Sequence, residues 1–94
     1  MGQRMRESKI EAYLVARIRR LGGVCFKFVS PGTVGVPDRI VILPGGEITW
    51  VELKTWLGKL SPEQVRMHAR LRALDQEVLV LRSVDQIDKA FQIQ

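Results

Sequence analysis

Two β-rich runs joined by a Pro-Gly-Gly turn constrain this chain more than any other feature. Residues 38–43 (DRIVIL) and 47–54 (EITWVELK) flank Pro44-Gly45-Gly46. Branched and aromatic residues favour extended backbone, and so tight a connection makes the two runs return antiparallel as a hairpin. Folding about positions 43–47 brings the start of one strand opposite the end of the other, so Asp38 lands near Glu52. Side chains alternate along a strand. Ile48, Trp50, Glu52 and Lys54 therefore share one face of the second run, and Thr49, Val51 and Leu53 share the other.

The remaining elements follow from periodicity. Ile10, Leu14, Ile18 and Leu21 form one apolar stripe, which predicts a helix over 7–21 ended by Gly22-Gly23. Residues 24–29 (VCFKFV) predict a strand, with Val24, Phe26 and Phe28 on one face. Residues 30–37 (SPGTVGVP) predict a loop. Ser61-Pro62-Glu63-Gln64 reads as a helix start, with Ser61 as N-cap, Pro62 at the first helical position and Gln64 completing a capping box. That helix runs to about Leu74, with Gln64, Met67, Leu71 and Leu74 facing the sheet. Residues 77–82 (EVLVLR) read as a buried parallel strand. Ser83 caps a last short helix with Val84, Ile87 and Phe91 inward. The order αβββαβα predicts an α/β fold, a mixed sheet with helices on its faces, in a single domain over 1–94.

Composition excludes several classes. No apolar run approaches the ~18 residues of a membrane span, and no signal-peptide pattern opens the chain. A single cysteine, Cys25, cannot form an intrachain disulfide or a zinc cluster, and a single histidine excludes paired-His chemistry. The formal net charge of +5 favours a polyanionic partner, nucleic acid before membrane. Its basic surface should come from Arg17, Arg19 and Arg20 on the first helix and from Arg66, Arg70 and Arg72 on the 61–74 helix, unless these are merely solvated helix faces. No Gly-rich phosphate loop or nucleophile elbow is present.

The chemistry concentrates at the hairpin end. Glu52 and Lys54 alone could be a structural ion pair. With Asp38 alongside, two carboxylates repel unless a proton or cation joins them. Oxygen ligands suit Mg²⁺ or Mn²⁺ rather than Zn²⁺, and the added ammonium suits metal-assisted phosphodiester hydrolysis. Glu11 lies at the edge of the apolar stripe and could reach the same cluster, or pair with a local Arg or Lys. Glu7, one turn earlier, lies on the same side. Gln64 could serve both the cap and the site. Lys27 and Ser30 could hold a phosphate or be solvated. His68 reads as a partly exposed helix residue, Trp50 and Trp56 as core or loop anchors, and Cys25 as a small core residue.

The ordered set Gly35-Val36-Pro37-Asp38, Glu52-Leu53-Lys54 and Leu60-Ser61-Pro62-Glu63-Gln64, with Glu11 on a preceding helix, resembles the VRR-NUC family of the PD-(D/E)xK nuclease superfamily, over about residues 7–81. The resemblance implies a restriction-endonuclease-like αβββαβ core with a mixed four-stranded sheet flanked by helices. It implies Mg²⁺ or Mn²⁺ on Asp38, Glu52 and the Leu53 carbonyl, with Glu11 as a further ligand. Lys54 would orient or activate the attacking water, and Gln64 would support the site. By analogy with junction resolvases of similar layout, Lys27 and Ser30 would contact phosphate, although lysine stands where those proteins usually carry arginine. Arg17, Arg20, Arg66 and Arg70 would add DNA contacts.

The expected activity is a divalent-metal-dependent, structure-selective DNA endonuclease acting on branched DNA such as four-way junctions. The family also implies a homodimer, and the cytoplasm of a bacterium or phage-infected host is the expected location. The rivals are a non-catalytic DNA-binding module and a nuclease for flaps or linear duplex.

Overall fold

The computed structural model describes residues 6–93. Its elements are α1 (Glu7–Arg20), β1 (Val24–Lys27), β2 (Arg39–Ile42), β3 (Ile48–Leu53), α2 (Pro62–Ala73), β4 (Glu77–Leu81) and α3 (Val84–Ala90). The strands form one sheet in the order β1-β2-β3-β4, with β1, β2 and β3 antiparallel and β4 parallel to β3. The expected αβββαβα order and mixed sheet are both present. The strands are one or two residues shorter than the β-rich runs. Pairing nonetheless continues past the end of β1, where the Phe28 N–H donates to the Asp38 carbonyl at 2.8 Å.

Alternation divides the sheet into two unlike faces. On one, Val41, Val51, Leu53 and Leu81 pack under Ile10, Leu14 and Ile18 of α1 and under Ile87 and Phe91 from α3 and its C-cap. Each such side chain contributes about 1.5–3 kcal/mol by leaving water. A partly buried arginine ties the two helices together. Arg17 donates to Asp88 at 2.5 Å and to the Phe91 carbonyl at 2.9 Å, and the Tyr13 hydroxyl donates to Asp88 at 2.7 Å. The other face carries Phe26, Ile40, Trp50 and Val78 in one cross-strand row and Val24, Ile42 and Ile48 in the next. Only part of it is covered, because α2 packs over β4. Phe26 is 58% exposed, and Val24 and Ile48 are nearly as open.

The start of α2 is as the sequence predicts. Ser61 Oγ accepts from the Gln64 N–H at 3.1 Å, and Gln64 Oε1 accepts from the Ser61 N–H at 2.9 Å. The inward face differs from expectation. His68 is the fully buried residue of α2, whereas Leu74 is 65% exposed. Leu74 is the C-cap, where the chain leaves the helical path and the stripe no longer applies. The loop before β2 leans on this helix start. Gly35 has φ +92°, and a Cβ there would lie 2.4 Å from the Glu63 carbonyl oxygen, so only glycine allows the approach.

Candidate active site

The hairpin register sets the site. Arg39 pairs with Val51, so the next step outward puts Asp38 opposite Glu52. Asp38 Oδ1 accepts from the Leu53 N–H at 3.4 Å, which holds the carboxylate against the end of β3. Glu52 is 4% exposed. Its Oε2 accepts from Gln64 Nε2 at 3.2 Å and lies 3.8 Å from Lys54 Nζ. Its Oε1 is buried and has no protein hydrogen-bond partner.

This environment opposes charge on both acids. Burial first, then the Asp38 carboxylate, pushes the Glu52 carboxyl up to about 7; Lys54 pulls it partly back and Glu7 adds to the rise. Asp38 is also raised, chiefly by burial and further by Glu7, against the lowering effect of the Leu53 N–H. A cation would relieve both carboxylates, and the unshared Glu52 Oε1 is an oxygen that could accept one. Among the described residues, no group of three or more His, Cys, Asp or Glu side chains forms a metal cage. Two carboxylates nevertheless fit Mg²⁺ or Mn²⁺, since Mg²⁺ is usually held by one or two of them together with waters and substrate phosphate.

The structure distributes the other candidates unevenly. Gln64 reaches both suggested places at once, one end of its amide in the capping box and the other on Glu52. Glu11 is drawn away. Its Oε2 lies 2.7 Å from the guanidinium of Arg39, which faces α1 because it alternates with Asp38. Glu7 instead sits close enough to raise both Asp38 and Glu52. Topology carried the missed signal. The Gly22-Gly23 turn sends β1 back along α1, so the end of β1, and Asp38 beside it, lies at the N-terminal end of α1.

Lys27 is exposed on β1, and Ser30 lies in the loop before Asp38. Arg66 is exposed, 3.7 Å from Glu63, and Arg20 and Arg70 are exposed as well. Arg17 differs, because its guanidinium is committed to Asp88, Tyr13 and Phe91 between α1 and α3. Arg20 stands roughly 20 Å along α1 from Glu7, at about 1.5 Å per residue, so the basic end of α1 is remote from the carboxylates. His68 corrects the expectation of partial exposure: both ring nitrogens are buried without a protein partner, and burial, Arg72 and Lys54 lower its pKa. Cys25 packs against the core as expected, its thiol raised mainly by burial. Trp50 is the expected anchor, set edge-on to Phe28 and donating to Gln76. Trp56 is not buried; it is 55% exposed.

A four-stranded mixed sheet with two acids and a lysine at the hairpin end, flanked by helices, is the restriction-endonuclease-like arrangement. No family model matches the chain. It is 53% identical over 81 residues to "Putative nuclease p44" of Acyrthosiphon pisum secondary endosymbiont phage 1, covering 86% of this chain and 87% of that protein. It also superposes on a solved structure described as "VRR_NUC domain" with a TM-score of 0.84 and 39% identity, covering 88% of this chain and 90% of the other. The chain belongs to the VRR-NUC family.

Proposed function

We propose that this protein is a divalent-metal-dependent DNA endonuclease that hydrolyses phosphodiester bonds in branched DNA. The observation that carries the reading is the buried Glu52 with half-buried Asp38 beside it and Lys54 alongside, one Glu52 oxygen being unshared. A module that only binds DNA gains nothing from two acids next to phosphate.

Asp38, Glu52 and the Leu53 carbonyl would hold Mg²⁺ or Mn²⁺, with the charge of Glu7 adding to the negative potential there. A bound divalent cation supplies Lewis-acid chemistry, neutralising charge that develops on the phosphate oxygens. Lys54 faces the same space as Glu52 and orients the attacking water. Its ammonium stabilises the extra negative charge at phosphorus as the new P–O bond forms and the old one breaks. Gln64 fixes Glu52 by its amide hydrogen bond, so the carboxylate does not have to be ordered during the reaction. Ser30 from the flanking loop and Arg66 and Arg70 from α2 supply phosphate contacts, and Lys27 adds charge from the end of β1, on the Arg39 side of the sheet.

We propose that the protein acts as a homodimer. The open sheet face bearing Phe26, Val24 and Ile48 is apolar and free of charged side chains along its two rows. It suits a second copy better than a polyanion. Two sites at fixed separation would suit a four-way junction. The test is cleavage of labelled duplexes, flaps and four-way junctions with Mg²⁺, Mn²⁺ or EDTA, alongside light scattering. Junction cutting that requires metal and is lost in Asp38→Asn supports the reading. Metal-independent cutting, or none by a protein that binds DNA, refutes it.

A further inference from the structure

The loop that follows Lys54 displays two large apolar side chains to solvent. Trp56 is 55% exposed and Leu57 is 68% exposed. They occupy the centre of a tight turn closed by the Gly58 N–H on the Thr55 carbonyl at 3.1 Å. The turn is braced from beneath. Arg82 Nη1 donates to the Thr55 carbonyl at 2.9 Å and also to the Gly58 carbonyl. Arg82 is itself held, since its backbone N–H donates to Gln86 Oε1 at 2.7 Å. An indole and an isobutyl group are thus kept out in water by a pinned backbone, which is unfavourable unless something covers them.

The surroundings say what that is. Residues 54–60 (KTWLGKL) contain Lys54 and Lys59 and no acid. The turn lies between Lys54 and the Ser61–Gln64 cap whose amide holds Glu52, so it borders the candidate active site. An aromatic group flanked by cations suits a nucleotide, with the ammonium groups on phosphate and the ring on a base. Within a duplex the base faces are already stacked. At a branch, flap or gap a face is free, and an apolar side chain can wedge beside it.

We propose that Trp56 stacks on an unpaired base next to the scissile phosphate, with Leu57 wedged against the adjoining pair, and that this contact directs the protein to non-duplex DNA. The inference rests on the nuclease reading for the identity of the polymer.

The test compares the full-length protein with Trp56→Phe, Trp56→Ala and Leu74→Ala. Leu74 is a similarly exposed apolar residue at the far end of α2 and controls for lost apolar surface. Two probes are used in EDTA: a paired duplex, and the same duplex with a single-stranded branch carrying 2-aminopurine at the junction. Trp56→Ala is expected to weaken binding of the branched probe about tenfold or more, by the usual strength of base–aromatic stacking. It should abolish a change in 2-aminopurine emission seen with wild type, and leave duplex binding unaltered. Trp56→Phe should retain most of the effect, and Leu74→Ala all of it. Equal affinity of wild type and Trp56→Ala for the branched probe overturns the wedge. So does a change in oligomeric mass in Trp56→Ala, which would mark the turn as a protein contact. Metal-dependent cleavage that survives such a result leaves the nuclease reading standing. A wild type that neither binds nor cleaves removes both.

Discussion

Glu52→Gln should make the metal-free protein more stable, by an amount that depends on pH in a calculable way. The Glu52 carboxyl is raised from 4.5 to about 7, so between those values the folded protein binds more protons than the unfolded chain. Stability then falls as pH rises through this window and levels off above it. At about 1.4 kcal/mol per pH unit of displacement, the loss approaches about 3 kcal/mol by pH 8. The side chain is nearly fully buried, so solvent screening removes little of this. In a domain of this size that corresponds to a melting difference on the order of 10 °C.

Asp38, raised by the same surroundings, works in the same direction. His68 works oppositely: its lowered pKa makes the folded state resist protonation as pH falls below 6.5. The quantity to measure is therefore the melting temperature of Glu52→Gln minus that of wild type, in EDTA, from pH 4.5 to 8. It should start near zero and grow with pH. Saturating Mn²⁺ should reverse its sign at pH 8, since the cation stabilises only a folded state that binds it. A difference independent of pH would show that Glu52 ionises normally and would refute the argument from burial.

Lys54→Ala should lower the cleavage rate roughly 10²–10⁴-fold, the range for a positioned proton-transfer group, with DNA affinity by anisotropy changing far less; an equal fall in both would reduce Lys54 to a simple electrostatic contact. Glu7→Gln should weaken Mn²⁺ binding in calorimetry and slow cleavage. Glu11→Gln should mainly lower stability, by about 1–2 kcal/mol once its partial exposure is allowed for, because Arg39 loses its counter-ion; the opposite pattern would return Glu11 to the site. His68→Leu should raise the melting temperature, most at pH 5–6, since two unpartnered buried nitrogens are removed; a lower value at every pH would mean that the imidazole makes a stabilising contact.

The parts of the site set by short-range geometry were legible in the sequence. A hairpin with a three-residue turn leaves little freedom of register, so Asp38 and Glu52 had to meet. Ser61 and Gln64 declare a helix start through local hydrogen bonds alone. What failed depends on how elements lie across one another. A helical wheel cannot separate Glu7 from Glu11 until the direction of α1 over the sheet is known. Arg17 looks like a DNA contact until α3, more than sixty residues later, brings Asp88 to it. His68 and Leu74 exchange their expected burial because α2 packs over β4 through His68 and ends at Ala73, leaving Leu74 at the C-cap.

The contact of Gly35 with the Glu63 carbonyl couples two stretches that are far apart in sequence. One leads into Asp38, and the other carries Gln64 against Glu52. Because the backbones touch with no side chain between them, the loop cannot be pushed without moving the helix start. A methyl group at position 35 would drive a wedge between the two halves of the carboxylate pair without altering a single charged residue. A serine or alanine at position 35 is thus the natural starting point for a temperature-sensitive allele: a chain that folds when cool and loses its acids' alignment when warmed.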